Sequence, residues 1–214
     1  MFEITLLGIH SFEAFLIASI LLNLLPGPDT FYILGRSMAQ GRSVGLASAL
    51  GISTGAIGHT LAAAIGLSAI IIASPLAFMV CKLVGAMYLI FLGIKMFLQS
   101  KQPQNMRNAY SNSHFFQAFK QGFFTNMLNP KVALFFLAFL PQFITKDADN
   151  HFLGFLALGL TFVVTSTLWG VLLAFSSSAL SNTLRRNPKY LEYLNKITGT
   201  LLIGLGIRLA FDKP

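Results

Sequence analysis

Two ionisable residues, Asp29 and Lys131, lie within long apolar stretches of the chain. An ionised side chain at the centre of a bilayer costs roughly 2.5–3.5 kcal/mol on insertion scales. A carboxylate and an ammonium group can hold ligand groups of opposite charge, exchange a proton or pair with each other. Which of these they do depends on whether the stretches are membrane helices and on what interrupts them.

The first interruption is a Pro-Gly-Pro sequence, formed by Pro26, Gly27 and Pro28. Proline removes a backbone donor and clashes with the preceding helical turn, so this sequence predicts a broken helix and not merely a bent one. Pro28 suits the first turn of a new half-helix, which places Asp29 in that turn. An acid in a first turn also stabilises the helix by itself, which is the structural alternative to a functional role for Asp29.

The second interruption lies in the fourth predicted helix, where Asn129 and Pro130 precede Lys131. Asn is a preferred N-cap and Pro a preferred first helical residue. A cation at a helix N-terminus opposes the helix dipole, so Lys131 carries two penalties and should have a function or a partner. An ion pair between Asp29 and Lys131 is the structural alternative. Asn126 approaches the same break and is a candidate to line a cavity.

The composition of the chain indicates a membrane protein. Of its 214 residues, 55% are hydrophobic and only 10% are charged, and the mean hydropathy is +0.70, whereas soluble domains carry about 25% charged residues. The uncharged runs 43–81 and 150–184 are too long for barrel strands, and helices satisfy their own backbone groups in lipid. The net charge of +8 comes mostly from residues between apolar runs, so we expect a lipid bilayer and no nucleic acid as partner.

These patterns predict an all-α integral membrane fold with six transmembrane helices. The predicted domain is single, 1–214, with halves of about 1–98 and 115–214 joined by a polar loop, 99–114. Because each half has three helices, the second half is inverted relative to the first, and the broken helices 1 and 4 correspond. Paired interrupted helices point to a transporter binding site. The predicted helices span roughly 10–35, 42–67, 75–98, 115–144, 151–178 and 190–211.

The distribution of basic residues predicts the orientation. Loops 1–2, 3–4 and 5–6 carry ten basic residues and the opposite face three, or four with Lys82, so the positive-inside rule places those loops in the cytoplasm and both termini outside. The ten are Arg36, Arg42, Lys95, Lys101, Arg107, Lys120, Arg185, Arg186, Lys189 and Lys196, and the three are Lys146, Arg208 and Lys213.

Other residues have weaker signals. The glycines of the second helix allow close helix approach, which favours internal packing over a dimer face and leaves a homo-oligomer possible. His59 could relay protons, although a hydrogen-bonded structural histidine is the favoured interpretation. Trp169 is interpreted as a packing residue. Gln117 and Thr125 are weaker cavity candidates than Asn126. The single cysteine, Cys81, excludes an internal disulfide.

The chain resembles the LysE/RhtB family of bacterial amino-acid exporters, in its RhtB-like branch. The resemblance covers nearly the whole length and implies an inner-membrane exporter of amino acids or close derivatives, driven by the proton gradient. It rests on Leu25-Pro26-Gly27-Pro28, the glycine-rich segment 41–58, Leu83-Val84-Gly85-Ala86-Met87-Tyr88-Leu89, Leu92-Gly93, the segment 122–131 and Phe139-Leu140-Pro141-Gln142-Phe143.

Secondary export is therefore the favoured function, with a passive channel or an intramembrane enzyme as alternatives. In the predicted mechanism, the half-helix N-termini and Lys131 hold a carboxylate, Asp29 holds an ammonium group, and protonation of Asp29 drives release. No nucleotide-binding motif is present, and no cofactor, metal or catalytic residue is expected. The predicted substrate-binding residues are Pro26, Gly27, Pro28, Asp29, Asn126, Asn129, Pro130 and Lys131.

Overall fold

The computed structural model describes residues 7–98, 114–145, 148, 150–186 and, near the C-terminus, 192–193, 196–197, 199–201, 203–204 and 206–207. Of the predicted loop 99–114, only His114 is described, and parts of the predicted helix 190–211 lie outside the described residues. Those that are described in that last stretch are helical.

The described chain is all-helical, and its only strand-like pairing is an isolated bridge between Ile9 and Ile144. A short 3-10 helix, Leu140–Phe143, continues the sixth helix. In chain order the α-helices are α1 (Phe12–Leu24), α2 (Pro28–Gln40), α3 (Arg42–Ala73), α4 (Pro75–Leu98), α5 (Phe115–Met127), α6 (Pro130–Phe139) and α7 (His151–Arg186).

Two helices in the described part of the chain are long and apolar enough to cross a membrane, namely Arg42–Ile70 within α3 and His151–Ser177 within α7. Up to four spans result if α1 with α2, and α5 with Pro130–Phe143, each count as one broken span. Each of these pairs is bent by 50°. Both predicted helix breaks are therefore confirmed, because α1 ends just before the Pro-Gly-Pro sequence and α5 just before Asn129.

Several predicted helix ends were wrong. The first span continues to Gln40 instead of 35, because the next residue that ends a helix is Gly41, whose φ is 90°. Similarly, α3 runs to Ala73 instead of 67, since the first breaker is the Ser74–Pro75 pair and proline disfavours helical conformation in the residue before it. The last predicted residues of the fourth span form the 3-10 helix and not an α-helix.

The glycine-rich face of α3 packs within the chain, as expected. A Cβ on Gly51 would collide with the backbone carbonyl of Phe119 in α5, and a Cβ on Gly122 would collide with that of Ser48 in α3. A Cβ on Gly55 would lie 2.8 Å from the Cβ of Asn126. Glycine therefore allows α3 to approach α5 closely, and this approach holds Asn126 in place.

A cluster of aromatic rings joins α1 to α6. The ring of Phe15 lies 6.2 Å from that of Phe135 and 5.3 Å from that of Phe143, and Phe139 and Phe143 are 4.8 Å apart, measured between ring centroids. These four phenylalanines are buried. The contacts bring the beginning of α1 against the end of α6 and of the 3-10 helix, so the two helices lie antiparallel.

Large apolar side chains cover much of the outer surface, such as Phe116 and Leu128, which are 72% and 78% exposed. Soluble monomers rarely expose contiguous apolar patches of this kind. The surface suits an apolar surrounding, in agreement with the composition.

Candidate functional site

The two helix breaks meet in space. The Lys131 ammonium group, in the first turn of α6, donates to the carbonyls of Leu22 and Leu25 at the end of α1, at 3.0 and 3.1 Å. The Asn126 amide, at the end of α5, donates to Oδ2 of Asp29, in the first turn of α2, at 2.8 Å. Each broken span thus contributes one charged residue, and each charge is bound by the other span.

The surroundings of Lys131 offset one of its two expected energetic costs, the unfavourable dipole of its own helix. Its charge lies at the N-terminus of α6, where the dipole is unfavourable, but its ammonium group binds C-terminal carbonyls of α1, where a cation is favourable. Gly27 lies beside it, since a Cβ at that position would be in van der Waals contact with Nζ, at 3.4 Å. Two of the three ammonium hydrogens are bonded to these carbonyls, so one is left for a further acceptor.

The two half-helix N-termini differ in how they are capped. The side chain of Asn129 accepts from the backbone N–H of Lys131 at 3.0 Å, so α6 has the N-cap that the sequence predicted, with Pro130 in its first turn. At α2, Gly27 provides no side-chain cap, and Pro28 follows it. The start of α2 is therefore the less satisfied of the two N-termini.

Asp29 and Lys131 do not form a direct ion pair. In the described part of the chain, the ion pair found within 4.0 Å joins Glu192 and Lys196, at 2.7 Å. Asp29 and Lys131 still interact electrostatically. Their partners are neutral groups: Asn126 for the carboxylate, which the Asn129 side chain also approaches, and two carbonyls for the ammonium group. Both charges therefore keep hydrogen-bonding capacity for a ligand.

His59 is bound to the same network. Its Nε2 donates to the backbone carbonyl of Asn126 at 3.0 Å, because a carbonyl can only accept. The Asn126 side chain in turn binds Asp29. The interpretation of His59 as a hydrogen-bonded residue is confirmed. The sequence did not reveal that His59 lies close enough to Asp29 to interact with it electrostatically.

A small cavity of about 30 Å³ lies beside these groups, with room for one or two water molecules. Asp29, Asn126 and Lys131 line it, as does Trp169 of α7, which the sequence analysis interpreted as packing. Of the weaker candidates, Thr125 instead donates to the Gln121 carbonyl of its own helix, and Gln117 is exposed. The other lining residues are Leu22, Asn23, Thr30, Ile33, Ile52, Val132, Phe162, Ser166, Gly170 and Leu173.

Unpartnered polar atoms cluster at this cavity. Oδ1 of Asp29, Oδ1 of Asn126 and Nε1 of Trp169 are all buried without a hydrogen-bond partner among the described residues, and so is Nδ2 of the neighbouring Asn129. Buried polar groups in native proteins are nearly always paired. Acceptors and donors are both unsatisfied here, which is the pattern of a site for a ligand that carries both.

A second polar cluster holds α2 against α5, farther from the break. Arg36 is only 4% exposed and donates to Gln40, at 3.0 Å, and to Gln121. The Tyr32 hydroxyl donates to the Ala118 carbonyl at 2.9 Å. The sequence analysis counted Arg36 among the loop residues, which is wrong, because it is a buried residue of α2.

Comparison with known proteins defines the class. The family model for LysE type translocators matches residues 20–213, and the chain belongs to this family of multi-pass membrane translocators. It is 33% identical over 208 residues to the uncharacterized membrane protein YrhP of Bacillus subtilis, covering 93% of this chain and 98% of YrhP. No solved structure matches the chain.

Some of the relatives have a named function. The leucine efflux protein of Enterobacter sp. (strain 638) is 29% identical over 203 residues, covering 95% of this chain and 96% of the relative. That of Klebsiella pneumoniae is 28% identical over 203 residues, with the same coverage of 95% and 96%. Export of amino acids is thus the function that the family and these names support for the chain.

Proposed function

We propose that the protein is a secondary exporter that binds one amino acid where its two broken spans cross. The observation that carries the proposal is the cavity beside Asp29 and Lys131, two opposite charges held by neutral partners. A zwitterionic amino acid offers an ammonium group and a carboxylate. Both match the unsatisfied atoms around the cavity.

The substrate ammonium group binds Oδ1 of Asp29 and Oδ1 of Asn126, the two acceptors without a partner. The substrate carboxylate binds the remaining hydrogen of the Lys131 ammonium group and lies near the uncapped start of α2, whose dipole favours an anion. The backbone breaks at Pro26, Gly27, Pro28 and Pro130 create these helix ends. Asn129 holds the first turn of α6 and does not need to contact the substrate.

Transport is coupled to protons through Asp29. When Asp29 takes up a proton it loses the charge that holds the substrate ammonium group, so protonation from the outside releases the substrate and resets the protein. This is the logic of antiport. It is supported by the single carboxylate among the residues that line the cavity, and it leaves Lys131 as a fixed charge.

The overall arrangement is that of two inverted three-helix halves, about 1–98 and 115–214, in the bacterial inner membrane. The antiparallel contacts support it. In α2 and α5, Asp29 meets Asn126 while the later Tyr32 meets the earlier Ala118. By the positive-inside rule, loops 1–2, 3–4 and 5–6 lie in the cytoplasm and both termini lie outside. The site where the two broken spans cross then lies between the two faces of the membrane.

The proposal is tested by measuring a full panel of amino acids in the medium of expressing cells. The medium of cells with the wild-type protein should accumulate one or a few amino acids that do not appear in the medium of cells with Lys131→Ala. Lys120→Ala is the matched control, because Lys120 is an exposed lysine on α5 and its loss should leave export unchanged. Equal release from wild type and Lys131→Ala, at equal amounts in the membrane, would contradict the proposal.

A further inference from the structure

Trp169 lies on a face of α7 that forms one wall of the cavity. Phe162, Ser166, Trp169 and Leu173 all line it, and their spacing of three or four residues places them on one side of the helix. Within the described lining, α7 is an unbroken helix that contributes these residues, whereas the charged residues Asp29 and Lys131 come from the two broken spans.

The indole N–H of Trp169 is buried and has no partner among the described residues. Buried tryptophans usually satisfy this group. The indole nitrogen can only donate, so its missing partner is an acceptor. The nearby acceptor atoms of Asp29 and Asn126 that line the same cavity are themselves unpaired, so the indole does not bind them.

We propose that Trp169 is a substrate-binding residue whose indole N–H donates to the substrate carboxylate. The inference rests on the proposed function. A carboxylate has two oxygens, and the third hydrogen of Lys131 and the unpaired Trp169 N–H are two donors that suit them, beside the hydroxyls of Thr30 and Ser166 in the lining. The substrate is thus held at three points, with Asp29 binding its ammonium group.

The rest of the lining defines the substrate class. Beyond Asp29 and Lys131 it holds no charged residue, and half of its 14 lining residues have aliphatic or aromatic side chains, such as Ile33, Ile52 and Leu173. A charged substrate side chain would be buried here without a partner, which is costly. The site therefore selects neutral amino acids with aliphatic side chains over lysine or glutamate.

The test compares two ligands on the purified full-length protein. Leucine and 3-methylbutylamine share the side chain and the ammonium group, but the amine has no carboxylate. Trp169→Phe removes the N–H and keeps an aromatic ring. We expect this variant to bind leucine about ten-fold more weakly, the loss of one hydrogen bond to a charged group, and to bind the amine as the wild type does.

A single-atom substitution keeps the test independent of folding. The chain has one tryptophan, so growth with 3-benzothienylalanine replaces only the Trp169 N–H, by a sulfur of similar size. This protein should show the same selective loss of leucine affinity. Unchanged leucine affinity in both substituted proteins, or an equal loss for leucine and the amine, would overturn the role of the N–H.

The same tryptophan reports on the site in the wild-type protein. Its emission should change when leucine binds and should not change with lysine or glutamate. Wild-type protein that transports lysine or glutamate as well as leucine would overturn the substrate class. If the wild-type protein transports no amino acid, the proposed function itself is overturned. If it exports amino acids and the Trp169 substitutions have no effect, only the role of Trp169 is overturned.

Discussion

At the scale of single residues, Lys131 has a structural role in addition to the binding role that we propose for it. Its ammonium group holds the end of α1 through the Leu22 and Leu25 carbonyls while leaving one hydrogen for a ligand. A buried charge in this position is costly unless it is paired, and these carbonyls provide the pairing. Substitutions should therefore change stability as well as transport.

Lys131→Met is expected to destabilise the protein by about 1–3 kcal/mol, because the Leu25 carbonyl loses its partner within the membrane. Thermal unfolding in detergent measures this as a lower transition temperature. Lys120→Met is the control, since that lysine is exposed on α5 and its transition should stay at the wild-type value. An unchanged transition for Lys131→Met would show that the two hydrogen bonds contribute nothing to stability.

The cap of α6 gives a prediction that separates stability from binding. Asn129→Ala should cost about 1 kcal/mol, the usual value of a lost N-cap, whereas Asn129→Ser should keep most of it because a serine hydroxyl can accept from the Lys131 N–H. Unfolding in detergent distinguishes the two variants. Equal destabilisation by alanine and serine would mean that another property of Asn129, and not the cap, is being measured.

At the scale of helices, α3 and α5 pack through glycines. Gly51→Ala and Gly122→Ala each place a Cβ against a backbone carbonyl of the facing helix, and overpacking of this kind costs about 1–3 kcal/mol. Both variants should unfold at lower temperature. Gly66→Ala is the matched control on α3, because a Cβ there meets nothing within 4 Å. Equal effects at all three positions would argue against close packing.

The helix breaks could be predicted from the sequence because their causes are local. Proline lacks a donor, and an asparagine before it caps the next turn, so the starts of α2 and α6 follow from a few neighbouring residues. The ends of α3 and α7 were harder to predict from the sequence, because no local signal ends an apolar helix before the next helix-breaking residue.

The lining of the cavity could be predicted only in part. Asp29, Asn126 and Lys131 stand out because polar residues are unusual beside a break in an apolar run. Trp169 does not, because a tryptophan in an apolar run is most often a packing residue, and only the rotation of α7 brings its side chain to the cavity. That rotation depends on contacts between distant segments, such as the bond from Asn23 to Thr165 at 3.1 Å.

At the scale of the whole molecule, the cavity is too small for the proposed substrate. Its volume of about 30 Å³ accommodates one or two water molecules, so the proposed binding of an amino acid requires the cavity to widen. Transport then requires the helices around the cavity to separate on one side at a time. The contact of Arg36 with Gln121, which joins α2 to α5, would have to open on one of these sides.

Thiol labelling measures this opening. In a Cys81→Ser background, Ser166→Cys places a thiol in the cavity lining, and it should react slowly with a membrane-impermeant reagent until a gradient and substrate drive turnover. Ser43→Cys, at an exposed position, should react at a constant rate. Fast and constant labelling of the cavity thiol from both sides would indicate an open channel.

The most direct test of the central claim is amino-acid flux in proteoliposomes with an imposed pH gradient. We predict that wild-type protein shows saturable leucine transport that follows the gradient, that Asp29→Asn loses this dependence, and that Glu13→Gln, at an exposed acid of α1, keeps it. Full, gradient-dependent transport by Asp29→Asn would contradict the claim that this carboxylate binds the substrate and couples its export to protons.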